Sequence, residues 1–145
     1  MRAVVQRVSR ASVRVDGEVV GSCGKGLVAL AAARRDDTEQ SAKRLADKVA
    51  GLRVFNDANG KMNLSLADVG GSVLAISNFT LYGDAEKSRR PSFVEAAPFA
   101  KAEALFESFV RSLREMGCST EQGIFGAHME LELVNDGPVT IILET

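Results

Sequence analysis

The stretch "GGSVLAISNFTL" (residues 70–81) decides the fold class. Val73, Leu74, Ala75 and Ile76 follow one another without alternation, the pattern of a strand covered on both faces. A chain of 145 residues holds one domain, so that domain must supply cover on both sides of its sheet. Upstream, residues 4–8 read as a strand. "ASVRVDGEVV" (11–20) reads as a hairpin turning at Asp16-Gly17, a pair that tolerates positive φ. "LVALAAA" (27–33) is a second buried strand. Asp36, Asp37 and Thr38 offer helix N-caps, and Ala42, Leu45, Ala46 and Val49 then recur at helical spacing up to Gly51. "LRVF" (52–55) reads as a short strand and "NDANG" (56–60) as a turn. Downstream, Phe99, Ala102, Leu105, Phe106, Phe109, Val110 and Leu113 form the stripe of a second helix. Pro98 precedes that helix and Gly117 ends it. "HMELELV" (128–134) and "VTIILE" (139–144) read as two closing strands joined by "NDGP" (135–138). The expected architecture is a single α+β domain over residues 1–145. Its mixed β-sheet is curved into a barrel or sandwich, with two main helices packed outside.

Composition removes several function classes. Hydrophobic residues make up 46% and charged residues 26%, with net charge −1. No global field draws in nucleic acid, so an anionic partner needs a local basic patch. No window is apolar over a spanning length, so no membrane partner is expected. "MRAVVQRVSR" carries charges within its apolar run and is not expected to be a signal peptide. Cys23 and Cys118 stand far apart and outside any CxxC, the usage of reduced thiols in a cytoplasmic protein. His128 is the single histidine, so no multi-histidine metal site is expected, and no cofactor motif stands out. There is no GxSxG elbow, and "GKG" (24–26) is too short for a Walker-type loop.

An enzyme on this chain therefore works with backbone groups, hydroxyls and the substrate itself. Two places suit that chemistry. Ser77, Asn78, Phe79 and Thr80 sit where the buried strand runs out, and strand ends free N–H groups that can stabilise an oxyanion. The Thr80 hydroxyl can donate, accept or attack. Alternatively, these are the polar residues of an ordinary exposed strand face. The second place is "NDGPVT" (135–140). It reads as a tight hairpin turn, yet proline after glycine is not the usual two-residue choice. A cis bond at Gly137-Pro138 would fit there. "EKSRRPS" (86–92) contributes Lys87, Arg89 and Arg90, and Arg2, Arg7, Arg10 and Arg14 crowd the N-terminal segment. They read as solvated basic surface or as a phosphate grip for an RNA end.

Taken together, "QRVSRASVRVDGEVVG", "GKMNLSL", "SNFTL", "RRPSF" and "FGAHMELELVNDGPVT" resemble the D-aminoacyl-tRNA deacylases over essentially the whole chain. That family is marked by SQFTL and by a Gly-Pro pair within NxGPVT. The second motif is intact, and the first carries Asn78 in place of Gln. The resemblance implies a homodimer with active sites at the subunit interface. Each site would join residues 77–81 of one subunit to Gly137-Pro138 of the other. The implied reaction is hydrolysis of the ester linking a D-amino acid, or mischarged glycine, to tRNA. A cis Gly-Pro pair would exclude L-amino acids sterically. It further implies a phosphate-holding role for Lys87, Arg89 and Arg90, and a bracing role for Arg7 beneath the Gly-Pro turn. Thr80 would position rather than attack, since no general base accompanies it, and the ribose 2′-OH would activate water. The rival reading is a non-catalytic module of the same fold that binds an RNA end or a nucleotide. A third is a His128-dependent esterase acting on small esters.

Overall fold

The computed structural model describes residues 1–86 and 88–145. One strand organises them. β1 (Arg2–Val15) is 14 residues long and pairs antiparallel with three others. Along one edge its first half meets β3 (Gly26–Ala32) and its second half meets β2 (Glu18–Cys23). β1 thus fuses residues 4–8 with the first arm of the hairpin expected from the sequence. The β1–β2 turn has Asp16 at φ 50° and Gly17 at φ 82°, the twist that suits a two-residue hairpin. β3 pairs parallel with β6 (Ser72–Ser77), and β6 pairs parallel with β7 (Ser119–Gln122). Parallel neighbours require crossovers. α1 (Glu39–Ala50) and the small hairpin of β4 (Phe55–Asn56) and β5 (Met62–Leu64) connect β3 to β6. α2 (Phe99–Glu115) connects β6 to β7.

The sheet order is β2-β1-β3-β6-β7, and the outer strands nearly meet. The Ser22 N–H donates to Glu121 Oε2 at 2.6 Å. A Cβ at Gly21 would lie 2.8 Å from the Gln122 carbonyl oxygen. The mixed sheet is therefore nearly closed into a barrel, with both helices outside it. Two cores result. Met1, Ala3, Val5, Leu27, Val73 and Ala75 face the helices with Leu45, Val49, Phe109 and Leu113. Val8, Ala11, Val13, Val28, Leu74 and Ile76 fill the barrel. The unbroken run 73–76 is buried throughout because its alternate residues serve these two cores. Ser119–Gln122 has no counterpart in the sequence-based expectation, because only Thr120 of its four residues is buried.

One expectation is corrected. "NDGP" does not join two strands in a hairpin. β8 (Glu130–Glu144) runs through it as one 15-residue strand paired along the second edge of β1. Gln6 pairs with Thr140 and Val8 with Asn135, so residues 136–139 bulge out opposite Arg7 alone. The Asn135 side chain closes the bulge, donating from Nδ2 to the Arg7 carbonyl at 2.9 Å and to the Val139 carbonyl at 3.1 Å. A Gly-Pro pair signals a break in the chain. The β1 ladder on both sides of it overrides that signal.

The tightest backbone approach lies between β3 and β6, where a Cβ at Gly26 would collide with the Ser72 carbonyl oxygen. Gly26→Ala is expected to destabilise the fold by about 3 kcal/mol or more in urea unfolding. Gly24→Ala, with nothing within 4 Å, should change stability by less than about 0.5 kcal/mol.

Candidate active site

β6 leaves the sheet at Ser77. The Asn78 N–H still donates to the Ala31 carbonyl at 2.8 Å, one rung beyond the strand. The chain then coils into a 3-10 turn, Phe79–Tyr82, rather than staying extended to Leu81. Leu81 N–H donates to the Asn78 carbonyl (3.2 Å) and Gly83 N–H to that of Thr80 (2.9 Å). The first turn of any helix leaves its own N–H groups without internal acceptors. Here they are those of Phe79 and Thr80, which have no acceptor among the described residues. Arg2 fastens the far end. Its Nη1 donates to the Leu81 carbonyl at 2.8 Å, and its guanidinium lies 4.8 Å from the Tyr82 ring centre. Its Nε pairs with Glu144 at 2.5 Å.

Beside this turn is a cavity of about 810 Å³. Ser77, Asn78, Phe79 and Thr80 form one side, and the small side chains of Ala31, Ala32 and Ala33 form its floor. α2 contributes Phe99, Ala102 and Phe106, and the segment entering β8 contributes Phe125, Gly126, Ala127, His128 and Met129. The rings of Phe99 and Phe125 meet edge to face at 5.1 Å. Gly126 is at φ 76°, and a Cβ there would be 2.8 Å from the Phe99 ring, so the wall closes only with glycine. No spacing in the chain joins residues 99–106 and 125–129 to 77–80. They read as core stripe and strand entry, and only the β6–α2–β7 crossover unites them. His128 lines the same cavity, but among the described residues no carboxylate pairs with it. Nor do three of His, Cys, Asp and Glu gather there, among the described residues, as they would round a metal ion.

The basic loop lies alongside. Backbone hydrogen bonds between Asp84 and Ser92, 2.8 Å in each direction, close its base. The Phe93 ring meets Phe79 edge to face at 5.2 Å. Arg89 and Arg90 are exposed, and Lys87 lies outside the described residues. The N-terminal arginines do not form one patch. Arg7 is buried, with Nε donating to the Asp136 carbonyl at 3.2 Å and pairing with its carboxylate at 3.1 Å. Its Nη1 donates to the Val54 carbonyl at 2.5 Å. Arg7 therefore underlies the bulge that carries Gly137 and Pro138, whose peptide bond is cis. Neither of those two residues lines the cavity of its own chain.

A family model described as D-Tyr-tRNA(Tyr) deacylase matches residues 4–144. The chain belongs to that deacylase family. The D-aminoacyl-tRNA deacylase of Anaeromyxobacter dehalogenans (strain 2CP-C) is 59% identical, over 100% of this chain and 97% of the relative. That of Thermotoga petrophila is 56% identical with the same coverage. A solved structure of a c-Myc DNA Unwinding Element Binding Protein superimposes with TM-score 0.93 at 40% identity, covering 100% of this chain and 99% of that one. A probable eukaryotic D-amino acid tRNA deacylase shares the fold alone, with TM-score 0.84 at 16% identity over 99% and 98% of the two chains. In this chain the cavity lies at the strand exit that Arg2 and Tyr82 hold.

Tyr82 is the sole tyrosine and there is no tryptophan. Burial, reinforced by the Asp37 carboxylate, pushes its phenol up to about 12, against about 10 in an unfolded chain. The folded state keeps the proton longer, so stability is intact below about pH 10 and falls as pH rises towards 12. An absorbance titration of tyrosinate should show a midpoint of about 12 in the native protein and about 10 in urea. Tyr82→Phe should flatten the alkaline loss of stability.

Proposed function

We propose that this chain hydrolyses the ester bond of D-aminoacyl-tRNA, and of mischarged glycyl-tRNA, releasing free amino acid and tRNA. The observation that carries the reading is the pair of N–H groups on Phe79 and Thr80, without acceptors among the described residues, at the edge of a cavity large enough for an aminoacylated nucleoside. Negative charge develops on the ester carbonyl oxygen as water adds. Backbone donors fixed by the 3-10 turn stabilise that charge without reorganising. No base accompanies the Thr80 hydroxyl among the described residues, so water is the nucleophile and the ribose 2′-OH relays its proton. The carbon–oxygen ester bond breaks, the departing ribose oxygen takes that proton, and the amino acid leaves as its carboxylic acid, which ionises by giving its remaining proton to solvent.

Chirality is read across a homodimer. Gly137 and Pro138 are exposed and lie outside the lining of their own chain's cavity, so a bound substrate meets them only on a second subunit. β8 is an edge strand with Ile142 68% exposed, a surface that suits a partner. The carbonyls of the pair then occupy the space that an L side chain needs. Glycine, lacking a side chain, passes the same test. Arg89 and Arg90, with Lys87 beside them in sequence, hold phosphates of the acceptor end. A cytoplasmic setting follows from a tRNA substrate.

With matched substrates, release of amino acid from D-aminoacyl-tRNA should exceed that from L-aminoacyl-tRNA by at least about 100-fold, the effect of roughly 3 kcal/mol of collision. Gly137 is at φ 125°, and a Cβ there would meet Arg7 Nη2 at 2.9 Å. Gly137→Ala should therefore slow D-substrate hydrolysis about 10–100-fold by displacing the pair. Equal rates on D- and L-substrates would refute the chiral reading.

Replacing Arg89 and Arg90 together with alanine should weaken tRNA binding. It should also flatten the dependence of log affinity on log salt by about 0.7–0.9 for each phosphate that the pair neutralises. An unchanged slope would reduce the pair to ordinary surface. The description of the 40% identical neighbour as a DNA-element binding protein favours a second reading, nucleic-acid binding without turnover. Tight tRNA binding with no release of amino acid would select it.

A further inference from the structure

Thr80 Oγ1 donates to Asn78 Oδ1 at 2.6 Å, the one side-chain hydrogen bond that either residue makes among the described residues. Both residues line the cavity and flank Phe79, whose N–H has no acceptor among the described residues. Asn78 has φ −146° and ψ 80°, and from there the turn brings its side chain back beside that of Thr80. A carboxamide on its own has no preferred end, because its terminal torsion is broad and two-fold. A hydroxyl fixed to the oxygen removes that freedom. The oxygen is engaged, and the two N–H bonds of Nδ2 are left for the cavity.

Resting on the reading above, we propose that Thr80 is a positioning residue that acts through Asn78. Its hydroxyl holds the amide oxygen so that Asn78 Nδ2 presents donors to an acceptor atom of the bound aminoacyl-nucleoside. The hydrogen bond also fixes where the Thr80 proton lies. An amide oxygen does not take a proton from an alcohol at neutral pH, so this bond orients the hydroxyl without activating it. Reach matters as well. A Gln side chain is one methylene longer and would carry the amide oxygen about 1.5 Å further out, past the Thr80 hydroxyl. The short side chain and the threonine two residues on work as a unit.

The test is a double-mutant cycle over Asn78→Ala, Thr80→Val and the double variant, with Thr80→Ser as the conservative control. Two quantities are read on the full chain. One is the Kd for an amide-linked, non-hydrolysable D-aminoacyl-adenosine; the other is kcat and KM on D-aminoacyl-tRNA. Thr80→Val should raise Kd and KM about 5–10-fold, the effect of removing one hydrogen bond, while kcat changes less than about twofold. Asn78→Ala should do the same, the double variant should be no worse than Asn78→Ala, and Thr80→Ser should restore binding. Thermal unfolding of each variant separates removal of the hydrogen bond from failure of the fold. A Thr80→Val effect that persists in full on the Asn78→Ala background overturns the proposal, as does a Thr80→Val effect on kcat alone. Wild-type protein that binds the analogue but releases no amino acid defeats the hydrolase reading while the binding cycle still decides this one. Wild-type protein that does not bind the analogue overturns this proposal, and release of amino acid from D-aminoacyl-tRNA then decides the hydrolase reading alone.

Discussion

The hydrogen-bond ladders of β1 are the constraint on which the other features rest. β1 donates and accepts along both edges, to β2 and β3 on one side and to β8 on the other. β3 in turn sets β6, whose last rung, Asn78 to Ala31, fixes where the chain leaves the sheet. The cavity opens at that exit. Its opposite wall is the segment that enters β8, which the other edge of β1 holds. Both walls are thus referred to one strand through backbone pairing, while α2 closes the cavity through the packing of Phe99 on Phe125. Backbone donors at such a site are stiff, which is what stabilisation of a developing charge requires.

Arginine performs two mechanical tasks in this frame. Arg2 ties the end of the 3-10 turn to the last strand through Leu81 and Glu144. Arg7 fills the space beneath the bulge and reaches Val54 on one side and Asp136 on the other. Both lie on β1, yet one serves the cavity rim and the other the Gly-Pro bulge. A rigid planar fork with several donors suits such bracing better than a flexible ammonium does. The same positive charges look like a nucleic-acid patch in the linear sequence. Burial takes Arg7 out of such a patch and Arg2 is paired with Glu144, whereas Arg89 and Arg90 stand on the exposed loop whose Phe93 packs against Phe79.

Much of this was legible in the residues. The run 73–76 announced a doubly covered strand because four apolar residues in succession cannot serve one face. The stripe from Phe99 to Leu113 announced α2 through its period. Ser77 to Thr80 stood out because polar residues interrupt an apolar strand. What stayed hidden did so for physical reasons. β7 is polar and short, and it is a strand only because β6 offers it a parallel edge. The 3-10 turn depends on the last rung at Ala31, a long-range bond with no local signature. Phe99, Phe125 and His128 join the cavity through the crossover, so nothing in their positions along the chain links them to Asn78. The N–H groups of Phe79 and Thr80, without acceptors among the described residues, belong to the backbone and are written in no side chain.

The bulge at 136–139 has a consequence for parity. Leu131 and Leu133 pack towards the barrel core, whereas Val139, Ile141 and Leu143 pack towards the helix core. All five have odd numbers, and an uninterrupted strand would keep odd positions on one face. Four residues set against one invert the facing of everything that follows. A single alternation in the sequence therefore serves two opposite cores. A one-residue slip of β8 against β1 beyond the bulge would turn Ile141 and Leu143 out into solvent and bring Ile142 and Glu144 in. The pairing of Ile141 with Val5 and of Leu143 with Ala3 therefore sets the facing of the closing residues, and the segment with Gly137-Pro138 takes up the chain between the two ladders.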